Sequence, residues 1–289
     1  MLHPKNSHHH DGGLQQDLDI LARRMRERRQ LLGWIATGSA AALLGVCTGR
    51  IGKPENRSAS RSQPAASCLA DPMETNGPFP ADGSNGVDDR IANILSSQGI
   101  VRSDIRSSFG VSNSTAPGVP LTLKIRLADA NAGCGALSGH AIYVWHCNRD
   151  GDYSLYADNL RNDNYLRGVQ VTDANGEVSF RSIFPACYAG RWPHIHFEVY
   201  RSLSAATGYD QAMLVSQFAL PPSICEAVYA KANGYGASQA ELAGLGLADD
   251  MVFADSTPAE LAQMTPTITG DLANGYVATA LVGVGRPYS

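Results

Sequence analysis

The chain has 289 residues, of which 17% are charged and 44% are hydrophobic, and it carries a formal net charge of −4 at pH 7. This composition is typical of a globular, turn-rich protein and excludes a disordered or coiled-coil chain. Residues 1–50 carry a basic excess, with seven Lys/Arg against four Asp/Glu, so the remainder is acidic and has no electrostatic reason to bind nucleic acid.

The first fifty residues have the pattern of an export signal. Several arginines between positions 23 and 29 precede an apolar run of small residues that ends at Cys47. This run of about 15–17 residues is shorter than the roughly 20 needed to span a membrane, whereas its basic and polar flanks are typical of a secretory signal. Residues 28–32 (RRQLL) resemble a twin-arginine signal, whose cargo folds before it crosses the membrane. We therefore expect export to the periplasm or the medium, with the twin-arginine export machinery as a partner; a membrane-tethering helix is the alternative.

Three consecutive regions are predicted along the chain. Residues 1–49 form the leader and signal, residues 50–67 form a polar linker rich in Ser, Pro and Ala, and residues 68–289 form one folded domain without internal repeats. No CxxC pair occurs, so the cysteines do not indicate a zinc or redox motif. Outside the cytoplasm some cysteines of the folded domain could form disulfides, and the sequence does not say which: Cys68, Cys134, Cys147, Cys187 or Cys225.

From about residue 119 onward the hydrophobic pattern has a period of two. Apolar residues at positions 121, 123, 125 and 127 alternate with polar ones, which predicts a half-buried strand. Further strands are predicted at 141–147, 177–183, 194–201, 213–220 and 276–284, a turn at 173–176, and short helices at 223–233 and 258–263. Short strands punctuated by Gly and Pro predict an all-β fold, an antiparallel β-sandwich with few short helices.

The side chains that could carry chemistry are concentrated between residues 151 and 200. His194 and His196 lie two positions apart in a predicted strand, so both imidazoles point to one face and could bind one metal. Such a pair alone is weak evidence, but Tyr188 lies six residues upstream, and Tyr153 follows a predicted turn. Two phenolates and two neutral imidazoles suit Fe(III) better than Zn(II), Cu(I) or Mg(II). Only a highly charged cation readily removes the proton of a phenol, whose unperturbed pKa is about 10.

The pattern of these residues resembles that of the intradiol ring-cleavage dioxygenases, a family that includes the catechol 1,2-dioxygenases and protocatechuate 3,4-dioxygenases. The motifs are GDYS at residues 151–154 and TDANGEVSFRSIFPACYAGRWPHIHFEV at residues 172–199. Weaker matches lie at residues 74–79, 139–145, 215–218 and 249–253, so the resemblance covers roughly residues 68–285.

The resemblance implies a ferric iron, Fe(3+), as the cofactor, with no organic cofactor. Tyr153 and His196 would be its equatorial ligands, and Tyr188 and His194 its axial ligands. The implied reaction cleaves a catechol-type aromatic diol with O2 between the two hydroxylated carbons and gives a muconate-type diacid. The implied partners are therefore a small aromatic diol and O2.

Three residues would act on the substrate if the resemblance holds. Tyr188 would leave the metal and accept a proton from the diol, Arg191 would lie beside the substrate, and Gln217 would line the pocket. Without the resemblance, Arg191 reads as a surface ion-pair residue and Gln217 as a polar group on a strand face.

Two other interpretations remain open at this stage. His194, His196 and Glu198 share one strand face and could imitate a two-His, one-carboxylate Fe(II) site, although three ligands on a straight strand span about 13 Å. The second is an exported β-sandwich binding module without catalysis. The loop between Tyr188 and His194 is shorter than in catechol 1,2-dioxygenases, and no helical dimerisation segment fits before the β-domain. The identity of the diol and the formation of a homo-oligomer are therefore left open.

Overall fold

Strands dominate the described part of the chain, residues 68–87 and 90–285 of a computed structural model. The predicted leader, signal and linker lie outside these residues. In chain order the strands are β1 (Asp82–Val87), β2 (Arg90–Asn93), β3 (Pro120–Asp129), β4 (Gly135–Ala136), β5 (Ala141–Trp145), β6 (Arg167–Val171), β7 (Glu177–Ile183), β8 (His194–Tyr200), β9 (Leu214–Ala219), β10 (Thr267–Asp271) and β11 (Gly275–Val284). The α-helices are α1 (Pro222–Lys231), α2 (Gly236–Leu242) and α3 (Pro258–Met264).

Two larger sheets share one hydrophobic core, which confirms the predicted β-sandwich. The first has the strand order β10–β11–β3–β4, with β7 also paired to β3, and the second has the order β6–β5–β8–β9. The core between them contains side chains from β3, β7 and β11 of the first sheet and from β5, β8 and β9 of the second. A separate hairpin consists of β1 and β2.

One strand pair departs from the predicted antiparallel arrangement. β11 pairs in parallel with β3, from Tyr276 opposite Leu121 to Val284 opposite Asp129. A parallel pair needs a long crossover connection, and here the chain between the two strands contains the whole second sheet and the three helices. The hydrophobic period of a strand does not reveal the direction of its neighbour.

The strands β5, β8 and β9 of the second sheet are buried on both faces, so even their polar side chains lie in the interior of the protein. All seven residues of β8 are buried. Ile195, Phe197 and Val199 face the core between the sheets. Because successive side chains alternate across a strand, His194 and His196 point to the opposite face. Loops and the segment that precedes β1 cover that outer face, with a second cluster of buried aromatic side chains.

The predicted helices at 223–233 and 258–263 correspond to α1 and α3, and each has a proline in its first turn, where the missing N–H costs nothing. Thr257 caps α3 by accepting a hydrogen bond from the Glu260 N–H. The pattern did not predict α2, β1, β2, β4, β6 or β10, which are short. No helix within the described ranges is long and apolar enough to cross a bilayer.

One disulfide joins the start of the described chain to the turn between β3 and β4. It pairs Cys68 with Cys134, and the other three cysteines among the described residues are free and buried. Beside it, the Asp71 N–H donates to the Gly283 carbonyl at 2.8 Å. The segment before β1 is therefore attached to β11 through Asp71 and to the turn between β3 and β4 through Cys68.

Candidate metal centre

Four donor atoms converge on the outer face of β8. The Nε2 atoms of His194 and His196 lie 3.0 Å apart, and Tyr153 Oη lies 3.4 and 3.3 Å from them. Tyr188 Oη lies 3.2 Å from Tyr153 Oη and 3.2 Å from His194 Nε2. Ligands bonded to one metal at about 2.1 Å, at angles of about 90–109°, lie roughly 3.0–3.4 Å apart. The structure therefore brings together the four predicted ligands at the spacing that one metal ion requires.

The two imidazoles present their Nε2 lone pairs to this point. His194 Nδ1 lies 2.5 Å from the Trp192 carbonyl, which can only accept, so Nδ1 carries the hydrogen and Nε2 the lone pair. The His196 ring stacks on Trp145, with 4.8 Å between ring centroids and 8° between ring planes. Burial, and then the charge of Arg191, lowers the pKa of His194 to about 3. Burial, and then His194, lowers the pKa of His196 well below its usual value. Both rings are therefore neutral, as metal ligands must be.

The two tyrosines differ in exposure. Tyr153 is buried, and its burial, followed by the proximity of Tyr188, raises its pKa well above the usual value. It becomes a phenolate only if a strong positive charge is placed beside it, which fits a ferric ion better than a divalent one. Tyr188 is only partly buried and is the most exposed of the four predicted ligands.

Tight turns place both tyrosines. The loop before Tyr153 is closed by Asn148, whose Oδ1 accepts from the Asp150 and Asp152 N–H groups at 2.9 and 3.0 Å. Gly151 has φ +92°, and a Cβ at this position would lie 3.2 Å from Tyr188 Cβ. A glycine is therefore required here both by the backbone and by the neighbouring tyrosine.

A buried arginine clamps the Tyr153 loop to the segment before β1. Arg167 donates from Nε to Ser154 Oγ at 3.1 Å and from Nη2 to the Ser154 carbonyl at 2.9 Å. It also donates to the carbonyls of Phe79 and Pro80 at 2.9 and 3.0 Å, and to Tyr143 Oη at 3.1 Å. The sequence analysis missed this residue, because an arginine at the start of a short strand gives no sign that it is buried.

Arg191 and Gln217 lie beside the histidines and are buried, which excludes the alternative that Arg191 is a surface ion-pair residue. Gln217 is directly opposite His196 in the β8–β9 ladder, so their side chains share a face. Arg191, which is 2% exposed, donates from Nη2 to Gln217 Oε1 at 2.7 Å. Gln217 Nε2 in turn donates to the Thr75 carbonyl at 2.9 Å.

Asp250 is a second residue that the sequence analysis did not single out. Arg191 Nε donates to its Oδ2 at 3.0 Å, and the carboxylate is fully buried. Burial raises the pKa of Asp250, but the charge of Arg191 and the hydrogen bonds that it accepts outweigh burial and hold the pKa below its usual value. The only sequence signal was its place in the 249–253 segment, which resembled the family without indicating a role.

Glu198 does not complete a metal site with the two histidines. Its Oε2 accepts a hydrogen bond from Tyr200 Oη at 2.5 Å. Burial, and then the neighbouring Asp82, raises its pKa well above the usual value, so the carboxyl is neutral. Throughout residues 68–87 and 90–285, no three side chains of His, Cys, Asp or Glu are placed to hold a metal ion. This argues against the two-His, one-carboxylate alternative.

Comparisons with known proteins match part of the chain to one family model. Residues 103–204 match the family model Dioxygenase_C, described as dioxygenase. The resemblance to the intradiol ring-cleavage dioxygenases is confirmed. The matched region contains all four predicted metal ligands and Arg191, whereas Gln217 and Asp250 lie beyond it. A search of curated protein sequences gives no match.

Solved structures share the fold of this chain. An intradiol ring-cleavage dioxygenase from Tetranychus urticae is 21% identical, with a TM-score of 0.57, over 76% of this chain and 97% of that one. A catechol 1,2-dioxygenase from Pseudomonas arvilla C-1 is 20% identical, with a TM-score of 0.45, over 75% of this chain and 63% of that one. Of these two likenesses, the first supports the shared fold, and the second is too distant to carry an argument.

Proposed function

We propose that this dioxygenase binds ferric iron and uses O2 to cleave a catechol-type aromatic diol between its hydroxylated carbons, giving a muconate-type diacid. The convergence of two phenols and two neutral imidazoles at separations of 3.0–3.4 Å carries the proposal. Tyr153, Tyr188, His194 and His196 would hold the metal. When bound, ferric iron would chelate both diol oxygens, promote their deprotonation and keep the ring electron-rich toward O2.

Tyr188 is the residue best placed to move a proton. Because it is the most exposed of the four donors, a substrate can displace it with less disturbance than the buried Tyr153. Its phenolate then accepts a proton from an incoming diol hydroxyl, so the pocket needs no other base for that step. His194 and His196 stay in place, since the Trp192 carbonyl and the Trp145 ring hold their imidazoles.

Arg191 and Gln217 act on the substrate side. The Arg191 guanidinium is buried, so its charge is weakly screened, and it stabilises negative charge that develops on the ring during the reaction. Gln217 orients the guanidinium by accepting from its Nη2 atom. These roles rest on position and chemistry, together with the sequence motif.

The test is the metal content and visible spectrum of the purified protein. We expect one ferric ion per chain and a red-brown tyrosinate charge-transfer band that shifts when catechol is added. Tyr153→Phe and Tyr188→Phe should each weaken the band. Tyr165→Phe is the matched control, because within the described residues the Tyr165 hydroxyl has one hydrogen bond, which it accepts from Asn148 Nδ2 at 3.4 Å.

The reaction itself is tested with a panel of catechol, hydroxyquinol and protocatechuate. Consumption of one O2 per diol, with a ring-opened diacid as product, would support the proposal. A colourless protein that stays iron-free after ferric reconstitution would contradict it and leave the exported binding module as the better account.

We also propose that the protein is exported. The N-terminal pattern at residues 28–32 supports this, and so does the disulfide between Cys68 and Cys134, because disulfides persist in oxidising compartments. Changing Arg28 and Arg29 together to lysine should retain the protein in the cytoplasm, as measured by cell fractionation. An unchanged distribution would exclude the twin-arginine route.

A further inference from the structure

The carboxylate of Asp250 is surrounded by donors. Its Oδ2 accepts from Arg191 Nε at 3.0 Å and from the Trp192 N–H at 2.6 Å. Its Oδ1 accepts from the N–H groups of Val252 and Phe253 at 2.8 and 3.3 Å. The bonds from Val252 and Phe253 fix the carboxylate within the turn that follows Asp250. The position of this turn therefore determines where the Arg191 and Trp192 donors lie.

The Trp192 backbone connects Asp250 to a predicted metal ligand. Its N–H is held by Asp250, and its carbonyl accepts the hydrogen of His194 Nδ1 at 2.5 Å. The indole Nε1 donates to the Leu220 carbonyl at 2.8 Å, and the ring packs against Val252. Residue 192 therefore has little freedom to move while the Asp250 carboxylate is in place.

The same carboxylate determines the plane of the Arg191 guanidinium. Nε is bound to Asp250 and Nη2 to Gln217, and two bonds to different atoms of a planar fork define its orientation. Asp250 thus has no hydrogen bond to the four metal donors. It contacts Arg191 directly, and it contacts the backbone of Trp192, whose carbonyl holds His194.

We infer that Asp250 is a positioning residue whose carboxylate aligns the Arg191 guanidinium for the substrate and, through the Trp192 backbone, the His194 imidazole for the metal. This inference rests on the proposed ferric dioxygenase function. It places a determinant of the reaction in the segment between β9 and α3, outside the region that the family model matches.

The principal test is Asp250→Asn, which keeps the shape and removes the charge. Asp250 Oδ2 accepts from Arg191 and Trp192, and Oδ1 accepts from Val252 and Phe253, whereas an amide has only one oxygen. In Asp250→Asn the NH2 group therefore faces one of these two pairs of N–H donors, and the negative charge beside Arg191 is lost. We expect kcat to fall about 100-fold, as when one stabilising donor is lost. Ferric affinity, measured by competition with a chelator, should fall about 10-fold, as for other residues that orient a ligand. The charge-transfer band of the resting enzyme should also shift.

Asp249→Asn is the matched control. Asp249 is exposed, and in the part of the chain that the structure describes its carboxylate accepts one hydrogen bond, from the Gly246 N–H. This variant should keep the kcat, the ferric affinity and the spectrum of the wild type. Asp250→Glu keeps the charge on a longer side chain, so its ferric affinity should lie between those of Asp250→Asn and the wild type. If Asp250→Asn does not fold, the kcat, ferric affinity and spectrum of Asp250→Glu are compared with those of the wild type instead.

A double-mutant cycle separates positioning from general destabilisation. If Asp250 acts on the substrate through Arg191, Asp250→Asn should lower kcat little further in an Arg191→Gln background. Full additivity, or wild-type ferric affinity and kcat in Asp250→Asn, would overturn the inference while leaving the proposed function intact. If the wild-type protein itself neither binds ferric iron nor turns over a diol, the proposed function and this inference fail together.

Discussion

Single side chains decide how well the four donors are held. His194 has a hydrogen-bond partner for Nδ1, whereas His196 Nδ1 is buried without a partner in the described part of the chain. The orientation of the His196 ring must therefore come from packing. Its stack on Trp145, itself stacked on Tyr143 at 4.9 Å, is the contact available for this.

This difference leads to a prediction for Trp145. Trp145→Leu should lower ferric affinity about 3- to 10-fold, because an aromatic stack contributes roughly 0.5–1.5 kcal/mol beyond burial. Trp145→Phe keeps a ring beneath His196 and should retain the wild-type affinity. The measurement is chelator competition per folded chain, since the leucine also leaves a cavity. Equal affinities for the two variants would show that the stack does not orient His196.

Among the structural elements, the strand that carries the histidines was the easiest to predict. The spacing of His194 and His196 predicted their common face, because the alternation of side chains is a local property of any strand. Contacts between distant residues were not predictable: Arg191 and Asp250 lie 59 positions apart, and Cys68 and Cys134 lie 66 apart. A local pattern cannot say which of many polar residues becomes a partner across such a distance.

Arg167 is a further residue whose distant partners the local pattern could not predict, and its contacts lead to a testable prediction. It joins β6 to the Tyr153 loop, to the Phe79 and Pro80 carbonyls and to Tyr143 on β5 through five hydrogen bonds. Lysine has a single ammonium and cannot span these acceptors. Arg167→Lys should reduce the free energy of unfolding by about 2–4 kcal/mol, since it leaves buried carbonyls without donors. It should also weaken the tyrosinate band, because the loop that places Tyr153 loses its clamp.

The measurements are urea unfolding of the apo protein and the visible spectrum of the ferric protein. Arg181→Lys on β7 is the control, because the Arg181 side chain is 62% exposed and its ion pair with Asp104 lies in solvent. A loss of stability in Arg167→Lys with an unchanged band would show that the clamp supports the fold but does not place Tyr153.

At the scale of the whole molecule, stability should depend on pH through Asp71. Its Oδ2 accepts the Gly283 N–H at 2.7 Å, which ties the start of the folded domain to its last strand. Burial raises the pKa of Asp71 from 3.8 to about 7, and the bonds from Gly283 and Gln263 offset only part of this. Between pH 4 and pH 7 the Asp71 carboxyl is therefore protonated in the folded state and ionised in the unfolded state.

The sign follows from that proton. The contribution of Asp71 is fully present below about pH 4 and is lost as the pH rises through about 7. Between pH 4.5 and pH 8, the free energy of unfolding of the wild type should fall by roughly 2–4 kcal/mol more than that of Asp71→Asn, which cannot titrate. Urea unfolding at both pH values measures this, and parallel changes in the two proteins would exclude a role for Asp71.

The parallel pairing of β3 and β11 also has a consequence for the order of assembly. These strands meet across about 155 positions of sequence, whereas the sheet β6–β5–β8–β9, which carries both histidines, is built within residues 141–219. Contacts between nearby positions form faster than contacts that close a long loop. The donor-bearing sheet can therefore form while the partner sheet is still open. Because the four donors belong to residues 153–196 and lie on the outer face of this sheet, the proposed metal site would not need the finished sandwich in order to assemble.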